Sequence, residues 1–449
     1  MTLTTQPAGT SISDAAYAEI AQWAPTQRWW PGTADQKPEP WLEALLPQGS
    51  QARADAGIPV LALMKVGNTT LQVPLIVSPA DSSPSPAVEP ANTTPAVEPA
   101  NAVSDGRNPG TPANPSTSPT WTDGAQSPVI WSAFLDEAGI TSVDTSGGKT
   151  LSGEQSNTSV ILPNVRPEGA PHGAMMKIMR TVAPGIHPDV EVPQALTNAG
   201  FTGTPRYLGS VMLPGHGHVA VAAALVPNAR DGFEWACAFA KDNKDFTAQA
   251  HELGTVVADL HLKLAESLPA HATLDPHTFV EGLRTRAANA IDAAPDALAP
   301  LTDQITAVLD DLESRLTAVP LQRIHGDLHL GQALYGATGW QLLDFEGEPQ
   351  RPVEQRTTPD LPLRDVAGML RSFHYAAAVG GATSETWTGD AQDAFLDGYL
   401  AGRAAFTAQD QAILRALTLD KALYEVVYEA RQRPHWLHIP LSAVQALVA

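Results

Sequence analysis

The chain has 449 residues, more than a single compact core usually holds, so we expect two or three domains. Its 27 basic and 48 acidic residues give a net charge of −21, which disfavours binding to nucleic acids or to anionic membrane surfaces. The single cysteine, Cys237, excludes an intramolecular disulfide scaffold and is typical of a reducing compartment. It lies in the apolar stretch "EWACAFA", where we expect a buried and unreactive thiol.

Targeting signals are not evident in the sequence. No run approaches eighteen consecutive apolar residues, so no membrane span is predicted. The first twenty residues lack a charged segment followed by an apolar one, so we expect no signal peptide. We therefore expect a cytoplasmic protein.

Residues 1–77 have the pattern of a small folded module. The stretch "SDAAYAEIAQWAP" predicts a helix that is capped by Ser13 or Asp14 and stops at Pro25. After "QRWWPG", the stretch "PVLALMKVGNTTLQVPLIV" predicts two strands around a turn at Gly67 and Asn68. We expect a helix and a hairpin in this N-terminal subdomain.

Residues 78–127 differ in composition from their surroundings. The segment "PAVEPAN" occurs at 86–92 and again at 95–101, within a region rich in Pro, Ser, Thr, Ala and Asn. Such a composition offers too little apolar surface to offset the entropy lost on ordering. We predict a disordered insertion without a function of its own.

Residues 128–228 are predicted to form a strand-rich lobe. Apolar runs separated by Gly and Pro predict strands at 158–163, 173–180, 204–213 and 218–227. Between them, residues 189–200 suit a short helix with Pro193 near its first turn.

Residues 229–449 are predicted to form a helical lobe. Leu253, Val257, Leu260 and Leu264 recur at three- and four-residue steps, as on one face of a helix. Further amphipathic segments lie at 277–293, 299–317, 363–378, 387–406 and 408–432. The predicted order is thus a strand-rich lobe followed by a helical lobe.

The stretch "IHGDLHLGQALYGATGWQLLDFEGEP", residues 324–349, carries the strongest chemical signal. His325, Asp327 and His329 have the spacing of a metal-binding triplet, which would make the protein a dinuclear metal hydrolase. Such sites need further ligand clusters, and the remaining histidines are scattered. A turn with its carboxylates in solvent is a second interpretation.

Phosphoryl transfer is the third interpretation of this stretch, and the spacing favours it. That chemistry needs a carboxylate to orient the attacking hydroxyl and oxygen ligands for magnesium. Asp327 is followed five residues later by the amide Gln332, and an apolar strand then ends at Asp344. Base, amide, strand and metal carboxylate thus occur in the order found in protein kinases.

These motifs resemble those of a known family. "HGDLHLGQ" with "LLDFEGEP" is similar to the aminoglycoside-phosphotransferase-like branch of the kinase fold, and within it to the actinobacterial maltokinases. "QRWWPG", "GEQSNTSVI", "PGIHPDVEV", "PLRDVAGMLRSFHYAA" and "DKALYEVVYEARQRPHWLHIPL" resemble further blocks of that family. The resemblance implies an α+β, bilobal protein-kinase-like fold with a β-rich N-lobe, a helical C-lobe and an N-terminal cap subdomain.

The resemblance also implies roles for the catalytic stretch. Asp327 would be the catalytic base, and Gln332 and Asp344 would hold Mg²⁺. Glu346 would either assist the metal or face solvent. His325 would stabilise the loop, and a structural role is expected for His329.

A nucleotide site is expected in the strand-rich lobe. Lys177 lies in the middle of a predicted strand, where it would bind the ATP phosphates and pair with Glu191, or else with Asp189. The alternative is an edge strand with the amine in water. "SGEQSNTSV" lies where a loop over the nucleotide belongs, and three of its residues would contact phosphates: Ser156, Asn157 and Thr158.

The sugar site is expected on the last long helix. Lys421, Tyr424, Glu425 and Tyr428 would cover one side of this helix, and Arg433 and Trp436 follow at its end. Aromatic faces, carboxylates and amines together suit a carbohydrate. The alternative is that both tyrosines pack into the core while Lys421 and Glu425 are solvated.

The resemblance implies an ATP- and Mg²⁺-dependent kinase that converts maltose to maltose 1-phosphate for glycogen or α-glucan synthesis. Within this class, the alternative is an amino-sugar kinase, such as a glucosamine 6-kinase, or an aminoglycoside-type phosphotransferase. Outside it, the alternative is a non-catalytic binding module beside a trehalose-to-maltose isomerase. Such an isomerase is also a candidate partner of the active enzyme.

Overall fold

The structure is a computed structural model that describes residues 3–33, 35–47, 57–77, 121–141, 143–151, 156–347 and 356–449. The chain divides into two compact units. The first unit comprises Met1–Ile186 and Leu208–Ala223, and the second comprises His187–Tyr207 and Ala224–Ala449. The domain boundaries predicted from composition stay predictions.

The first unit is built mainly from antiparallel strands. Its strands in chain order are β1 (Thr5–Pro7), β2 (Glu39–Leu45), β3 (Ile58–Val66), β4 (Thr69–Val77), β5 (Trp121–Asp123), β6 (Lys149–Thr150), β7 (Asn157–Leu162), β8 (Ala174–Met179), β9 (Thr181–Val182), β10 (Tyr207–Leu213) and β11 (Gly217–Ala224). One sheet has the order β1-β2-β3-β4-β5, with β9 also paired to β4, and the other has the order β10-β11-β8-β7-β6. Its helices are α1 (Asp14–Trp23) and α2 (Pro128–Glu137).

The predicted hairpin of the first unit is confirmed. Strands β3 and β4 pair in unbroken register from Ile58 opposite Val77 to Val66 opposite Thr69. Gly67 takes a positive φ of 56° at the turn, a conformation that glycine adopts without strain. Ser13 caps α1 by accepting a hydrogen bond from the backbone N–H of Ala16.

The second unit is mostly helical. Its helices are α3 (Pro188–Asn198), α4 (Gly232–Lys241), α5 (Thr247–Ser267), α6 (Pro276–Ala293), α7 (Pro295–Leu298), α8 (Thr302–Arg315), α9 (Leu363–Gly380), α10 (Trp387–Leu400), α11 (Ala408–Gln432) and α12 (His438–Val448). Its short strands are β12 (Arg230–Asp231), β13 (Ala272–Thr273), β14 (Pro320–Leu321), β15 (Ala333–Gly336) and β16 (Gly339–Leu342). Strands β12, β15 and β16 form one small sheet, and β13 pairs with β14.

The apolar face predicted around residues 253–264 forms part of the second unit's core. Leu253, Val257, Leu260 and Leu264 on α5 are completely buried. Helix α9 lies close to the segment that carries Asp327, because a side chain on Gly368 would collide with the carbonyl oxygen of Leu328. This close approach holds the segment around Asp327 against the core of its unit.

The predicted fold class is confirmed, with antiparallel sheets in the N-terminal region and helices in the C-terminal part. The four predicted strands of the strand-rich lobe are present as β7, β8, β10 and β11. Pro193 lies inside α3, beyond the first turn. Proline lacks the N–H that would bond to the carbonyl four residues earlier.

Several elements were not predicted from the sequence: β2, α2 and α12. Residues 78–120 of the predicted disordered insertion lie outside the described residues. Its last residues do not fit the prediction, since Trp121–Asp123 form β5 and residues 124–126 form a 3₁₀ turn. Pairing of β5 with β4 supplies the ordering energy that composition does not reveal. No helix in the described residues combines the length and apolar character needed to cross a membrane.

Candidate active site

Asp327 lies in a short loop whose backbone is held in place by hydrogen bonds to a buried carboxylate. Asp365, in the first turn of α9, accepts hydrogen bonds from the backbone N–H groups of His325 at 2.8 Å and Gly326 at 2.9 Å. Asp365 itself is 1% exposed. Its carboxylate therefore fixes the backbone just before Asp327, whose side chain keeps 17% of its surface exposed.

Asp365 is in turn held by the buried His261, which itself contacts the buried Tyr399. Nε2 of His261 lies 3.0 Å from Oδ2 of Asp365, and Nδ1 of His261 lies 2.9 Å from the hydroxyl of Tyr399. Burial is the largest influence on the pKa of Asp365 and would raise it. The hydrogen bonds and attraction from His261, with His325 and the N–H of Gly326, outweigh burial and lower that pKa. The loop thus rests on an ionised carboxylate.

The two histidines of the catalytic stretch have structural contacts. Nε2 of His325 donates to the carbonyl of Leu343 at 2.8 Å, and its ring packs on Phe345 at 4.8 Å between centroids. Nδ1 of His329 accepts the N–H of Gly331 and so caps the 3₁₀ turn at residues 330–332. Burial, the main cause, lowers the pKa of His329.

The metal-triplet interpretation finds no support in this geometry. Among the described residues, the side chains that come together as a possible metal site are Asp189, Asp344 and Glu346, whose ligand atoms lie within 4.8 Å of one another. His325 and His329 are not members of that group. Their ring nitrogens instead support the loop backbone.

The Asp344 group has the donor atoms that a hard cation prefers. Nε2 of Gln332 donates to Oδ2 of Asp344 at 2.9 Å, so the amide and the carboxylate that the sequence predicts as metal ligands lie side by side. Asp344 has a positive φ of 63°, which turns the chain sharply at the end of β16. Carboxylate and amide oxygens suit Mg²⁺, so these residues fit the metal that the sequence predicts.

Asp189 is a member of this group that sequence analysis assigned differently. It lies in the first turn of α3 and is buried. From the sequence, it was predicted only as the alternative partner of Lys177. No spacing rule connects Asp189 with Asp344, because 155 residues separate them. Only the packing of α3 in the second unit brings the two carboxylates together.

Lys421 contacts the predicted base. Its Nζ lies 3.4 Å from Oδ1 of Asp327. Both residues line a cavity of about 520 Å³ between the catalytic segment and helices α6, α9 and α11. Its lining residues are Thr278, Phe279, Gly282, Arg286, Gly326, Asp327, Leu328, Arg364, Asp365, Ala367, Gly368, Leu417, Asp420, Lys421 and Tyr424. An acceptor in this cavity would lie beside Asp327.

Helix α11 presents two different surfaces near the site. Asp420, Lys421 and Tyr424 face the cavity, whereas Glu425 bonds to Arg371 on α9, with the shorter contact at 2.6 Å. Burial, the largest cause, raises the pKa of Glu425, although Arg371 opposes this effect. The five residues predicted as one sugar-binding set therefore do not share one surface.

A second carboxylate follows one turn later on α11. Glu429 is 1% exposed, accepts two hydrogen bonds from Arg433 and accepts another from the hydroxyl of Tyr375 at 3.1 Å. The guanidinium of Arg433 stacks on the rings of Tyr428 at 5.3 Å and Trp436 at 4.3 Å. A connected polar and aromatic cluster thus extends from α11 into the last 3₁₀ turn.

The tyrosines of α11 are not core residues. Tyr424 is 36% exposed and Tyr428 is 40% exposed, and their rings stack at 6.4 Å between centroids. Glu425, by contrast, keeps only 13% of its side chain exposed. The alternative with buried tyrosines and a solvated Glu425 is therefore wrong.

The predicted nucleotide residues divide between the two units. Lys177 lies half-buried on β8, an interior strand of its sheet, so the edge-strand alternative does not hold. Glu191 lies on α3 and forms an ion pair with Arg323 at 3.3 Å. The pairing of Lys177 with Glu191 stays a prediction.

The predicted phosphate loop is described only from Ser156 onward. Ser156 is exposed, and its Oγ accepts a hydrogen bond from the amide of Asn157 at 3.3 Å. Oγ1 of Thr158 accepts a hydrogen bond from Nε of Arg180 at 2.9 Å. Residues 152–155, which include the one glycine of this loop, lie outside the described residues, as do residues 348–355.

Sequence analysis missed the residues that organise the site: His261, Asp365, Arg371, Glu429 and Tyr399. Asp365 and Arg371 lie in "PLRDVAGMLRSFHYAA", a block that resembles the family but whose roles spacing does not indicate. Cys237 is half-buried and not buried as expected. The expectation of an unreactive thiol fits this environment, because partial burial and two nearby acids raise its pKa to about 11.

Several known proteins are similar to this chain in sequence. Residues 171–417, more than half of the chain, match the phosphotransferase enzyme family. A glucosamine kinase of Mycolicibacterium smegmatis is 29% identical over 330 residues, which cover 67% of this chain and 80% of that protein. A glucosamine kinase of Streptacidiphilus jiangxiensis is 28% identical over 334 residues, covering 69% of this chain and 75% of that protein.

A solved structure confirms the fold. A glucosamine kinase in complex with glucosamine, ADP and inorganic phosphate superimposes with a TM-score of 0.64 at 20% sequence identity, covering 98% of this chain and 100% of that chain. At this identity the likeness concerns the fold alone. The sequence match over residues 171–417 establishes that the chain belongs to the phosphotransferase enzyme family.

Proposed function

We propose that this protein is an ATP- and Mg²⁺-dependent amino-sugar kinase that phosphorylates glucosamine. The observation that carries this proposal is the position of Asp327, which faces an acceptor cavity with Lys421 beside it and follows a loop anchored by Asp365. The named relatives are glucosamine kinases, which supports the amino-sugar alternative over the maltose expectation.

Asp327 is proposed to act as the base. Its carboxylate accepts a hydrogen bond from the acceptor hydroxyl and takes the proton as the hydroxyl oxygen bonds to the γ-phosphorus of ATP. The bond from that phosphorus to the bridging oxygen of the β-phosphate breaks, and ADP leaves with the electron pair. Lys421 holds the carboxylate of Asp327 in place through Oδ1.

The metal and nucleotide roles follow the same proposal. Gln332, Asp344, Glu346 and Asp189 would hold Mg²⁺, which neutralises charge on the phosphates when it is bound. The proposal keeps the predicted contacts with the ATP phosphates for Lys177 and for the residues from Ser156 to Thr158. It also keeps Glu191 as the partner of Lys177. Substitution of Asp344 by Asn should weaken Mg²⁺-dependent binding of ADP by about tenfold or more in calorimetry. Unchanged affinity with Mg²⁺ present would remove Asp344 from the metal site.

The amine of glucosamine requires acidic partners, since a buried ammonium is costly without them. Glu425 and Glu429 follow Lys421 at steps of four on α11, and both are largely buried. Both hydrogen bonds from Arg371 reach the same oxygen of Glu425, Oε2. We assign amine recognition to Glu425, whose neighbours Lys421 and Tyr424 line the cavity, and not to Glu429, whose two oxygens already accept hydrogen bonds from Arg433 and Tyr375.

Maltose offers no amine to these carboxylates. The comparisons support glucosamine rather than maltose, so maltose 1-phosphate formation is not carried forward as the main proposal. Association with a trehalose-to-maltose isomerase depended on maltose as the substrate and has no separate support.

Coupled ADP release with a panel of acceptors tests the proposal. Glucosamine should give the highest kcat/KM. The kcat/KM for N-acetylglucosamine, which lacks the ammonium, should be lower by about tenfold or more. Glucose and maltose serve as acceptors without nitrogen. Turnover of maltose in the absence of glucosamine turnover would restore the maltose interpretation. Absence of ADP release with every sugar would favour the non-catalytic binding module.

A further inference from the structure

The acceptor cavity extends past the catalytic base to helix α6. Thr278, Gly282 and Arg286 recur at four-residue steps on α6, and Phe279 lies three residues before Gly282, so these residues form one face that lines the cavity. A cavity of about 520 Å³ has the bulk-liquid volume of roughly seventeen water molecules. Glucosamine has only twelve non-hydrogen atoms, so one sugar ring beside Asp327 leaves the α6 side of the cavity unfilled.

Gly282 keeps that side of the cavity open. A glycine inside a helix is destabilising relative to alanine, so its presence calls for a reason. Close packing is not the reason, because a Cβ on Gly282 would meet only the flexible end of Arg286, at an ordinary 3.5 Å. Gly368 on the neighbouring helix differs, since a Cβ there would collide with the backbone of Leu328. What the absent side chain provides at Gly282 is space in the cavity.

The wall around this space is polar and nearly balanced in charge. Arg286 donates to both oxygens of Asp420, from Nε at 2.8 Å and from Nη2 at 3.0 Å. Arg364, which also lines the cavity, pairs with Asp360 at 2.6 Å. The remaining nitrogen of Arg286, Nη1, is the atom nearest to the space over Gly282. Such a wall offers hydrogen bonds without a large net charge, which suits hydroxyl groups better than an anion or a free cation.

Two aromatic side chains complete this part of the cavity. Phe279 is half-buried on α6, and Tyr424 is 36% exposed on α11. Aromatic surfaces beside hydrogen-bonding groups suit the alternating apolar and hydroxylated faces of a saccharide. Thr278 adds an exposed hydroxyl at the start of the α6 face.

We infer that the α6 side of the cavity is a second acceptor subsite, which binds another saccharide ring linked to the glucosamine unit being phosphorylated. This inference rests on the proposed amino-sugar kinase activity and specifies its substrate class. The enzyme then acts on the glucosamine unit of a disaccharide as well as on the free monosaccharide.

The test compares glucosamine with the β-1,4-linked disaccharide of two glucosamine units. In coupled ADP release, the wild-type protein should phosphorylate both, with the disaccharide within about tenfold of glucosamine in kcat/KM. The variant Gly282→Leu fills the subsite, so kcat/KM for the disaccharide should fall by about tenfold or more relative to kcat/KM for glucosamine. The matched control is Gly389→Leu on α10, where a Cβ meets nothing within 4 Å and the cavity is unaffected.

Phe279→Ala provides a second test that does not depend on Gly282→Leu folding well. It should lower kcat/KM for the disaccharide more than kcat/KM for glucosamine, because it removes an aromatic surface. Wild-type activity on glucosamine without activity on the disaccharide would overturn the subsite and leave the proposed function intact. Equal losses on both acceptors in Gly282→Leu would overturn it as well. Failure on both acceptors in the wild-type protein would instead reject the proposed function.

Discussion

The ammonium of Lys421 lies 3.4 Å from a carboxylate oxygen of Asp327, although 94 positions separate the two residues. The sequence predicts Lys421 as a sugar ligand on the last long helix, whereas the structure places it against the predicted base. Both side chains are partly exposed, at 30% and 17%, so solvent can reach the pair. One cation thus lies beside the predicted base, in the cavity where the acceptor is proposed to bind.

Asp327→Asn should lower kcat on glucosamine by about a hundredfold or more, because an amide cannot take the hydroxyl proton. Binding of ADP and the thermal unfolding temperature should remain close to those of the wild-type protein. Asp259→Asn, an exposed substitution on α5, is the control for a charge lost elsewhere. If turnover survives within a few-fold, Asp327 is not the base.

Lys421→Met should reduce kcat/KM for glucosamine by about tenfold or more, since the carboxylate of Asp327 then loses the partner that orients it. Lys421→Arg keeps the charge and should recover part of the loss. Lys241→Met, at the exposed end of α4, provides a matched control. Steady-state kinetics at several acceptor concentrations measure the effect, and full activity of Lys421→Met would show that the contact is incidental.

Asp365→Asn should destabilise the protein by roughly 2–4 kcal/mol, because the amide replaces an acceptor of two backbone N–H groups and of His261. Urea unfolding gives the change in the free energy of unfolding. The variant should also lose kcat, since the backbone before Asp327 is no longer fixed.

Tyr399→Phe tests the outer part of the same network. It removes only the hydroxyl next to His261, so we expect a smaller loss of about 1 kcal/mol. A loss in Tyr399→Phe as large as that in Asp365→Asn would contradict this order of importance.

His374 should make stability depend on pH. Burial, with a smaller contribution from Arg371, lowers its pKa from 6.5 to about 4. Between these values the unfolded chain binds a proton that the folded chain does not. This contribution to stability is therefore complete above pH 6.5 and is lost as the pH falls toward 4.

His374→Gln cannot take up this proton, so its free energy of unfolding should fall less steeply as the pH is lowered. At the lowest pH measured, the variant should have lost roughly 2–3 kcal/mol less than the wild-type protein. Urea unfolding at several pH values between 7.5 and 4.5 measures the difference from the wild-type protein. His251→Gln, at an exposed position on α5, is the control. Parallel curves for the wild-type protein and His374→Gln would exclude this histidine as the cause.

The order of the catalytic elements could be predicted from the sequence because it is local. Asp327, Gln332 and Asp344 lie within eighteen residues, and the loop, turn and strand between them leave few possible geometries. The structure accordingly joins Gln332 to Asp344 through a hydrogen bond of 2.9 Å. Helix periodicity likewise predicted the buried face of α5, since a helix repeats every 3.6 residues.

The supports of the site could not be predicted, because each joins distant parts of the chain. His261 and Asp365 are 104 positions apart, and Arg371 and Glu425 are 54 apart. From the sequence alone, a polar residue on an amphipathic helix is predicted to face solvent unless its partner is known. Glu425 illustrates this point: it was predicted as a sugar ligand, with a solvated residue as the alternative, and it is a largely buried member of an ion pair.

The sequence by itself predicted a strand-rich lobe followed by a helical lobe, and phosphoryl transfer at residues 324–349. The first prediction follows from local periodicity and the second from the spacing of a few carboxylates and amides along one loop and one strand, whereas the kinase-like fold class was implied by the resemblance to a known family. The tertiary structure decided that Lys421 contacts Asp327, that Asp189 joins Asp344, and that α6 leaves room beside the base. These features arise from helix packing, which brings together side chains that no interval along the chain connects.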